Sequence, residues 1–165
     1  MEERLSVASG ELLATIRAGV ATVTLNRPAA LNALTLAMIE GLAAWLDAWE
    51  RDPRVRLVVL RGAGERAFCA GGDVLALRGS DLAANAHFMA SEYALDHRIH
   101  TYPKPVVAIV DGIAMGGGMG LAQGARLRIV GSRTRMAMPE VSIGLFPDVG
   151  GSYFLSRLPG HVGAY

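Results

Sequence analysis

Two near-continuous apolar runs of strand length, residues 55–60 and 105–110, each lead directly into a glycine-rich stretch, and that pairing leaves the chain few architectures. A strand that is apolar along its whole length has both faces covered, which is the situation of a parallel strand in a sheet flanked by helices. Parallel strands need long crossovers, usually helical. Residues 81–100, between the runs, read as such a helix. Upstream, residues 35–50 space Leu36, Ile39, Leu42, Ala43, Leu46 and Trp49 at three and four, one stripe along a helix with Thr35 as its cap and Pro53 beyond its end. Residues 11–17 and 20–26 are short and β-branched, and Ala18-Gly19 between them predicts a hairpin. Residues 127–130 and 135–138 read as further short strands, and residues 151–158 as the start of another helix. The alternation of strands and helices predicts an α/β fold.

The 165 residues form one domain, 1–165, with no linker-like stretch and no internal repeat. Sixteen basic against fifteen acidic side chains give a formal charge of +1, no electrostatic footprint for nucleic acid or an anionic membrane surface. Asp111 is the only ionisable group in residues 105–125, and Gly112, Gly116, Gly120 and Gly124 are spaced as in helix-packing motifs of membranes. Six of those 21 residues are glycine, however, and Asp111 in hydrocarbon would cost roughly 2.5–3.5 kcal/mol. A buried strand and turn is the expectation, with no membrane partner. The single Cys69 excludes an internal disulfide. Residues 1–10 carry Glu2, Glu3 and Arg4 with no apolar core of signal length, so the expected location is cytoplasmic.

The 20 glycines, about 12% of the chain against a usual ~7%, direct attention to backbone. Gly62-Ala63-Gly64-Glu65-Arg66-Ala67 matches the dinucleotide pattern G-x-G-x-x-A, but Phe68-Cys69-Ala70-Gly71-Gly72 continues poorly as the helix that must hold a pyrophosphate. There is no P-loop and no G-x-S-x-G elbow. Two clusters remain, Cys69-Ala70-Gly71-Gly72-Asp73 and Met115-Gly116-Gly117-Gly118-Met119-Gly120, each placed after a buried strand and before a predicted helix. Such turns can expose backbone NH groups, and two converging on one point form an oxyanion hole whose single donors are worth roughly 3 kcal/mol. Glycines there can equally serve only tight turns and close packing. Periodicity does not choose between the two.

Leu25-Asn26-Arg27-Pro28 with Asn32-Ala33-Leu34, then Ala67-Phe68-Cys69-Ala70-Gly71-Gly72-Asp73, then residues 105–112 running into Gly116-Gly117-Gly118, resemble the crotonase (enoyl-CoA hydratase/isomerase) superfamily. Ser91-Glu92-Tyr93, Met138-Pro139-Glu140 and residues 144–155 are similar to its 3-hydroxyisobutyryl-CoA hydrolase branch. The resemblance implies a crotonase-like fold of ββα repeats wound as a spiral. By the family pattern residues 158–165 fall in mid-element, so an N-terminal portion without the C-terminal helices is expected. It also implies a coenzyme A thioester as substrate, with no separate cofactor, and leaves a homo-oligomer open. Mapped residue by residue, the oxyanion amides fall on Gly72 and Gly117, and Ala70 lies where the adenine is bound. Hydratases carry a glutamate three residues after the second oxyanion glycine, where this chain has Gly120; their other glutamate matches Glu140. Where hydratases carry glycine, this chain has Asp148, as the hydrolase branch does.

The implied reaction is hydrolysis of a short β-hydroxyacyl-CoA, 3-hydroxyisobutyryl-CoA of valine breakdown by the branch. Glu140 would act as general base or as nucleophile forming a mixed anhydride. Glu92 and Asp148 would hold the substrate's 3-hydroxyl or orient the reacting groups, two close carboxylates raising one pKa. Alternatives are a hydratase or isomerase using Glu140 alone and an inactive acyl-CoA-binding module. Outside the resemblance, Glu140 after Pro139 can be a helix-start carboxylate. Glu92, Asp96 and His100, at i, i+4 and i+8, are expected on a charged outer face rather than around a metal. His87, His97 and His161 lack ligand spacing with cysteine. Cys69, beside the proposed hole, has no base nearby and reads as a packed thiol rather than a nucleophile. Met115, Met119, Met136 and Met138 are assigned to the core or an acyl pocket.

Overall fold

The computed structural model describes residues 2–160. The expected hairpin is present: β2 (Leu12–Arg17) and β3 (Val20–Leu25) pair antiparallel around Ala18 and Gly19, both at positive φ (53° and 87°), the backbone of a turn whose twist matches its strands. An additional strand, β1 (Glu3–Val7), adds to the outer edge of β2. Thr35 caps α1 (Leu36–Glu50), its hydroxyl accepting from the Met38 amide at 3.3 Å. The buried stripe of α1 is Met38, Ile39, Leu42, Leu46 and Trp49, with Leu36 and Ala43 at its margin. Past its C-terminus, the Lys104 ammonium donates to the carbonyls of Trp49, Asp52 and Val55, at 2.8 Å for Asp52 and 2.7 Å for Val55. A cation there meets the unpaired carbonyls of the helix end.

From here the chain repeats one manoeuvre. β4 (Leu57–Gly62) runs parallel to β3, and the chain then turns a corner into the short β5 (Ala67–Cys69). β6 (Val106–Val110) and β7 (Ile113–Met115) do the same, as do β8 (Leu127–Val130) and β9 (Arg135–Ala137). The first member of each pair joins a six-stranded sheet in the order β1-β2-β3-β4-β6-β8, and the second joins a three-stranded parallel sheet in the order β5-β7-β9. At the β6–β7 corner Gly112 has φ +75°, and a side-chain carbon on it would stand 2.3 Å from the Arg66 carbonyl oxygen, so only glycine fits.

Helices follow the short strands: α2 (Val74–Arg78) and α3 (Leu82–His100) after β5, α4 (Gly117–Gly124) after β7, and α5 (Gly151–Leu155) after β9 and a 3-10 turn, Glu140–Ile143. This is a spiral of ββα units, the crotonase-like fold. Asp73 and Asp81 cap α2 and α3 with their carboxylates, on the Ala76 amide at 3.2 Å and the Ala84 amide at 2.8 Å. The core lies between the large sheet and α1 and α3, and includes Leu12, Val23, Leu42, Leu46, Val58, Leu60, Leu95 and Ala108 at 7% exposure or less. α5 ends at Leu155, three residues short of the expected 158.

Candidate active site

The geometry of this site begins with an Arg27 anchor under the first glycine turn. Its guanidinium donates to Glu11 at 2.9 Å, to the Ala33 carbonyl at 2.7 Å and to Asp73 at 2.9 Å, tying the loop after β3 to the start of α2. Asn32, fully buried, donates to the carbonyls of Ala63 and Ala67 and accepts from the Arg27 amide. Leu34 then bridges to Gly72, its amide on the Gly71 carbonyl at 2.8 Å and its carbonyl accepting from Asp73 at 2.9 Å. These bonds hold the backbone on either side of Gly72 and leave the Gly72 amide without an acceptor among the described residues. Ala70, half-buried just upstream, gives its amide to the Leu31 carbonyl at 3.0 Å.

The second turn meets the first. A side-chain carbon on Gly71 would lie 3.0 Å from the Met115 carbonyl oxygen and 3.4 Å from the Gly117 nitrogen, so the two backbones touch. Gly117 is the first residue of α4, and its amide also has no acceptor among the described residues. Unpaired amides of a helix start can receive a negatively charged oxygen. Glu140 stands beside them, 7% exposed, with Oε1 only 2.9 Å from where a Gly116 side-chain carbon would be and Oε2 without a partner. Burial raises its pKa above the usual carboxylate value, against its own backbone hydrogen bond and with a further push from Asp148.

Glu92 and Asp96 correct the expected charged outer face. Both are buried, at 4% and 6% exposure, and only His100 of that trio is exposed. The reason is the glycine stripe of α4. A side-chain carbon would be 2.0 Å from Glu92 Oε1 at Gly117, 2.6 Å from Asp96 Oδ2 at Gly120, and 3.2 Å from Ile99 at Gly124. The bare side of α4 admits the carboxyl heads of α3 into its own volume. Glu92 also continues the apolar stripe of Phe88, Leu95 and Ile99, a spacing legible in the sequence. Burial, then Asp148 and Glu140, push Glu92 up to about 7.

Asp148 is half-buried and accepts from the Tyr93 hydroxyl at 2.6 Å; burial and that bond raise the Tyr93 pKa. Tyr93 is the site residue that sequence reasoning quoted without assigning. Next to Asp148, Val149 holds φ at 42°, a strained conformation for a β-branched residue, compensated by its burial at 3% exposure against Gly120. A cavity of about 540 Å³ opens here, walled by Tyr93, Asp96 and Asp148 and by the edge-on rings of His100, Tyr153 and Phe154. Gly72, Gly117 and Glu140 do not line it.

Cys69 is fully buried and its thiol pushed up to about 12 by burial, which leaves no thiolate for attack. Of the methionines, Met119 is buried and Met136 exposed. No group of three or more metal-ligating side chains occurs among the described residues, and His161 lies outside them.

A family described as enoyl-CoA hydratase/isomerase matches residues 20–165. The chain belongs to the enoyl-CoA hydratase/isomerase family. Within it, the chain is 49% identical over 163 residues to a protein of Xenopus tropicalis named 3-hydroxyisobutyryl-CoA hydrolase, mitochondrial, covering 97% of this chain and 42% of that one. Among solved structures it resembles a carnitinyl-CoA dehydratase from Mycobacterium thermoresistibile, 51% identical with TM-score 0.89, over 93% of this chain and 46% of the other. It also resembles an enoyl-CoA hydratase from Rhodobacter sphaeroides 2.4.1, 47% identical with TM-score 0.87, over 93% of this chain and 47% of the other. The chain thus spans about two fifths of the length of the curated relatives it matches. The vertebrate relatives are named as mitochondrial, so the expected cytoplasmic location finds no support in them. No helix among the described residues is long and apolar enough to cross a membrane.

Proposed function

We propose that this enoyl-CoA hydratase/isomerase family chain carries the thioester-hydrolysing site of a short β-hydroxyacyl-CoA hydrolase, with 3-hydroxyisobutyryl-CoA as its substrate. The observations that support the reading are that the turn holding Gly71 and Gly72 touches the start of α4 at Gly117, that the amides of Gly72 and Gly117 have no acceptor among the described residues, and that the buried carboxyl of Glu140 stands beside α4, with no acid at residue 120. The names of its relatives support a coenzyme A ester as substrate, and the Xenopus relative's name supports hydrolysis.

The thioester carbonyl oxygen receives the Gly72 and Gly117 NH groups, which gain strength as negative charge builds on it. A water oxygen bonds to the carbonyl carbon, its proton taken by Glu140, or the Glu140 carboxylate itself bonds there and water later opens the anhydride. In either course the carbon–sulfur bond breaks, its electron pair leaves on sulfur, and the thiolate collects a proton. Glu92, above Gly117, and Asp148, held by Tyr93, accept the substrate's 3-hydroxyl. Water addition across a double bond needs a second acid–base group. A glycine at residue 120 weighs against that course.

Release of free thiol from 3-hydroxyisobutyryl-CoA, measured beside hydration of crotonyl-CoA, tests the reading. Thiol release with the double bond of crotonyl-CoA untouched is expected, and E140Q is expected to abolish release while coenzyme A affinity stays within about threefold. Hydration without thiol release would replace hydrolase by hydratase, and affinity without turnover of either substrate would make the chain a binding module.

A further inference from the structure

Phe88 of α3 is a buried ring that the thioester chemistry leaves without a task. It does more than fill the core. A side-chain carbon on Gly72 would stand 3.1 Å from its Cε1 and 3.1 Å from its Cζ, so the edge of the ring is seated on the bare side of Gly72, with Leu77 farther off at 3.8 Å. One turn later on the same helix, the carboxyl of Glu92 occupies the bare side of Gly117. Side chains four apart on a helix are neighbours, about 5–6 Å from one another. One face of α3 therefore bears on both glycines whose amides are free. Each of those amides is held only from behind. The Leu34 amide donates to the Gly71 carbonyl at 2.8 Å, and because carbonyl and N–H point opposite ways across a trans peptide, the Gly72 N–H is directed away from Leu34. Likewise the Gly116 carbonyl accepts from Met119 at 2.8 Å and Gly120 at 3.1 Å, which turns the Gly117 N–H out of the start of α4. A peptide anchored at its carbonyl can still rock about that bond, and glycine offers the least steric resistance to it. On the bare side of Gly72 the stop is the ring of Phe88.

We propose that Phe88 is a positioning residue of this site: its ring braces Gly72 while Glu92 braces Gly117, so that α3 acts as the spacer that sets the two amides relative to one another. A rigid ring suits the task, since buried aromatic side chains are locked by packing and have few rotamers to lose. Donors that stabilise a developing charge must already point at it, and a displacement of about 1 Å in a reacting geometry can cost on the order of a hundredfold in rate. Phe88 would thus act on turnover through Gly72 without touching the substrate. The kinetic consequence rests on the hydrolase reading; the bracing of the Gly72 amide rests only on that amide receiving the thioester oxygen.

Thiol release from 3-hydroxyisobutyryl-CoA by F88A, F88L and L95A separates a brace from a filler. Leu95 is a core residue of the same helix, 1% exposed, and L95A opens a cavity away from both glycines. F88A is expected to lose about thirtyfold in kcat with KM within about threefold, F88L to fall between F88A and the parent, and L95A to lose stability in urea while keeping kcat within about twofold. Urea unfolding identifies which variants are folded in the assay, and F88L against L95A decides the question if F88A is not. A second readout needs no turnover: the infrared carbonyl band of 3-hydroxyisobutyryl-CoA, labelled with carbon-13 at the thioester and bound to E140Q. Donated hydrogen bonds lower that frequency, so the band is expected below that of the free ester in E140Q and back toward it in E140Q carrying F88A or F88L. Phe88 variants falling no further than L95A, or a band that stays where E140Q has it, overturns the proposal. A band in E140Q no lower than that of the free ester also overturns it, because no amide then reaches the oxygen. Absence of thiol release from every form would sink the hydrolase reading, and the carbonyl band would still decide Phe88.

Discussion

Replacing Glu92 by Gln is expected to stabilise the protein at pH 8 and to leave its stability nearly unchanged near pH 4.5. Glu92 is buried, and its pKa moves from 4.5 to about 7 on folding. Between those values the folded protein binds more protons than the unfolded chain, so stability falls as pH rises from 4.5 through about 7 and stays lowered above it. At 1.36 kcal/mol for each pH unit, the displacement sets a ceiling of about 3 kcal/mol on what ionised Glu92 costs the folded state. Gln has the same volume and never ionises, so E92Q should recover about 1–3 kcal/mol at pH 8, while losing most of the thiol-releasing activity that Glu92 supports. Urea unfolding at about pH 4.5 and pH 8, followed by circular dichroism, measures the difference between the two proteins at each pH. A loss of stability of equal size at both pH values would refute the reasoning, because it would mean that Glu92 contributes contacts and no electrostatic burden.

Y93F removes the 2.6 Å hydrogen bond to Asp148, and since Tyr93 is partly exposed the expected cost is about 1 kcal/mol, a fall of about fivefold in kcat/KM for the 3-hydroxyacyl substrate. The same variant should treat an acyl-CoA without the 3-hydroxyl as the parent does, and steady-state kinetics on both substrates checks it. Cys69, fully buried with its thiol at about 12, should resist iodoacetamide in the folded protein and react only in denaturant, as mass spectrometry would record.

The α/β alternation, the hairpin at Ala18-Gly19 and the Thr35 cap are written in local sequence, because each depends on neighbours within a few residues. β5 and β7 escape the same reading, since each is three residues set inside a glycine-rich stretch that reads as a turn. β1 escaped because it alternates half-buried with exposed residues along a sheet edge. Gly72, Gly117, Glu140 and Asp148 are reachable through resemblance, but the contact of the two glycine turns beside Glu140 is not, for it depends on how the spiral stacks one turn on the next. The spacing of Glu92 with Phe88, Leu95 and Ile99 is legible in the sequence, but the burial of Asp96 needs the tertiary partner: an acid on a helix ordinarily faces water, and here the bare glycine side of α4 receives it.

Lys104 carries a practical consequence. It is the only lysine in the sequence, and its ammonium is enclosed by three carbonyl oxygens at the end of α1. Amine-directed reagents, whether fluorescent esters, cross-linkers or biotin tags, therefore find one internal target, and engaging it means uncapping a helix. Conjugation at that atom would report on the fraying of α1, and tagging the folded protein calls for an introduced handle elsewhere.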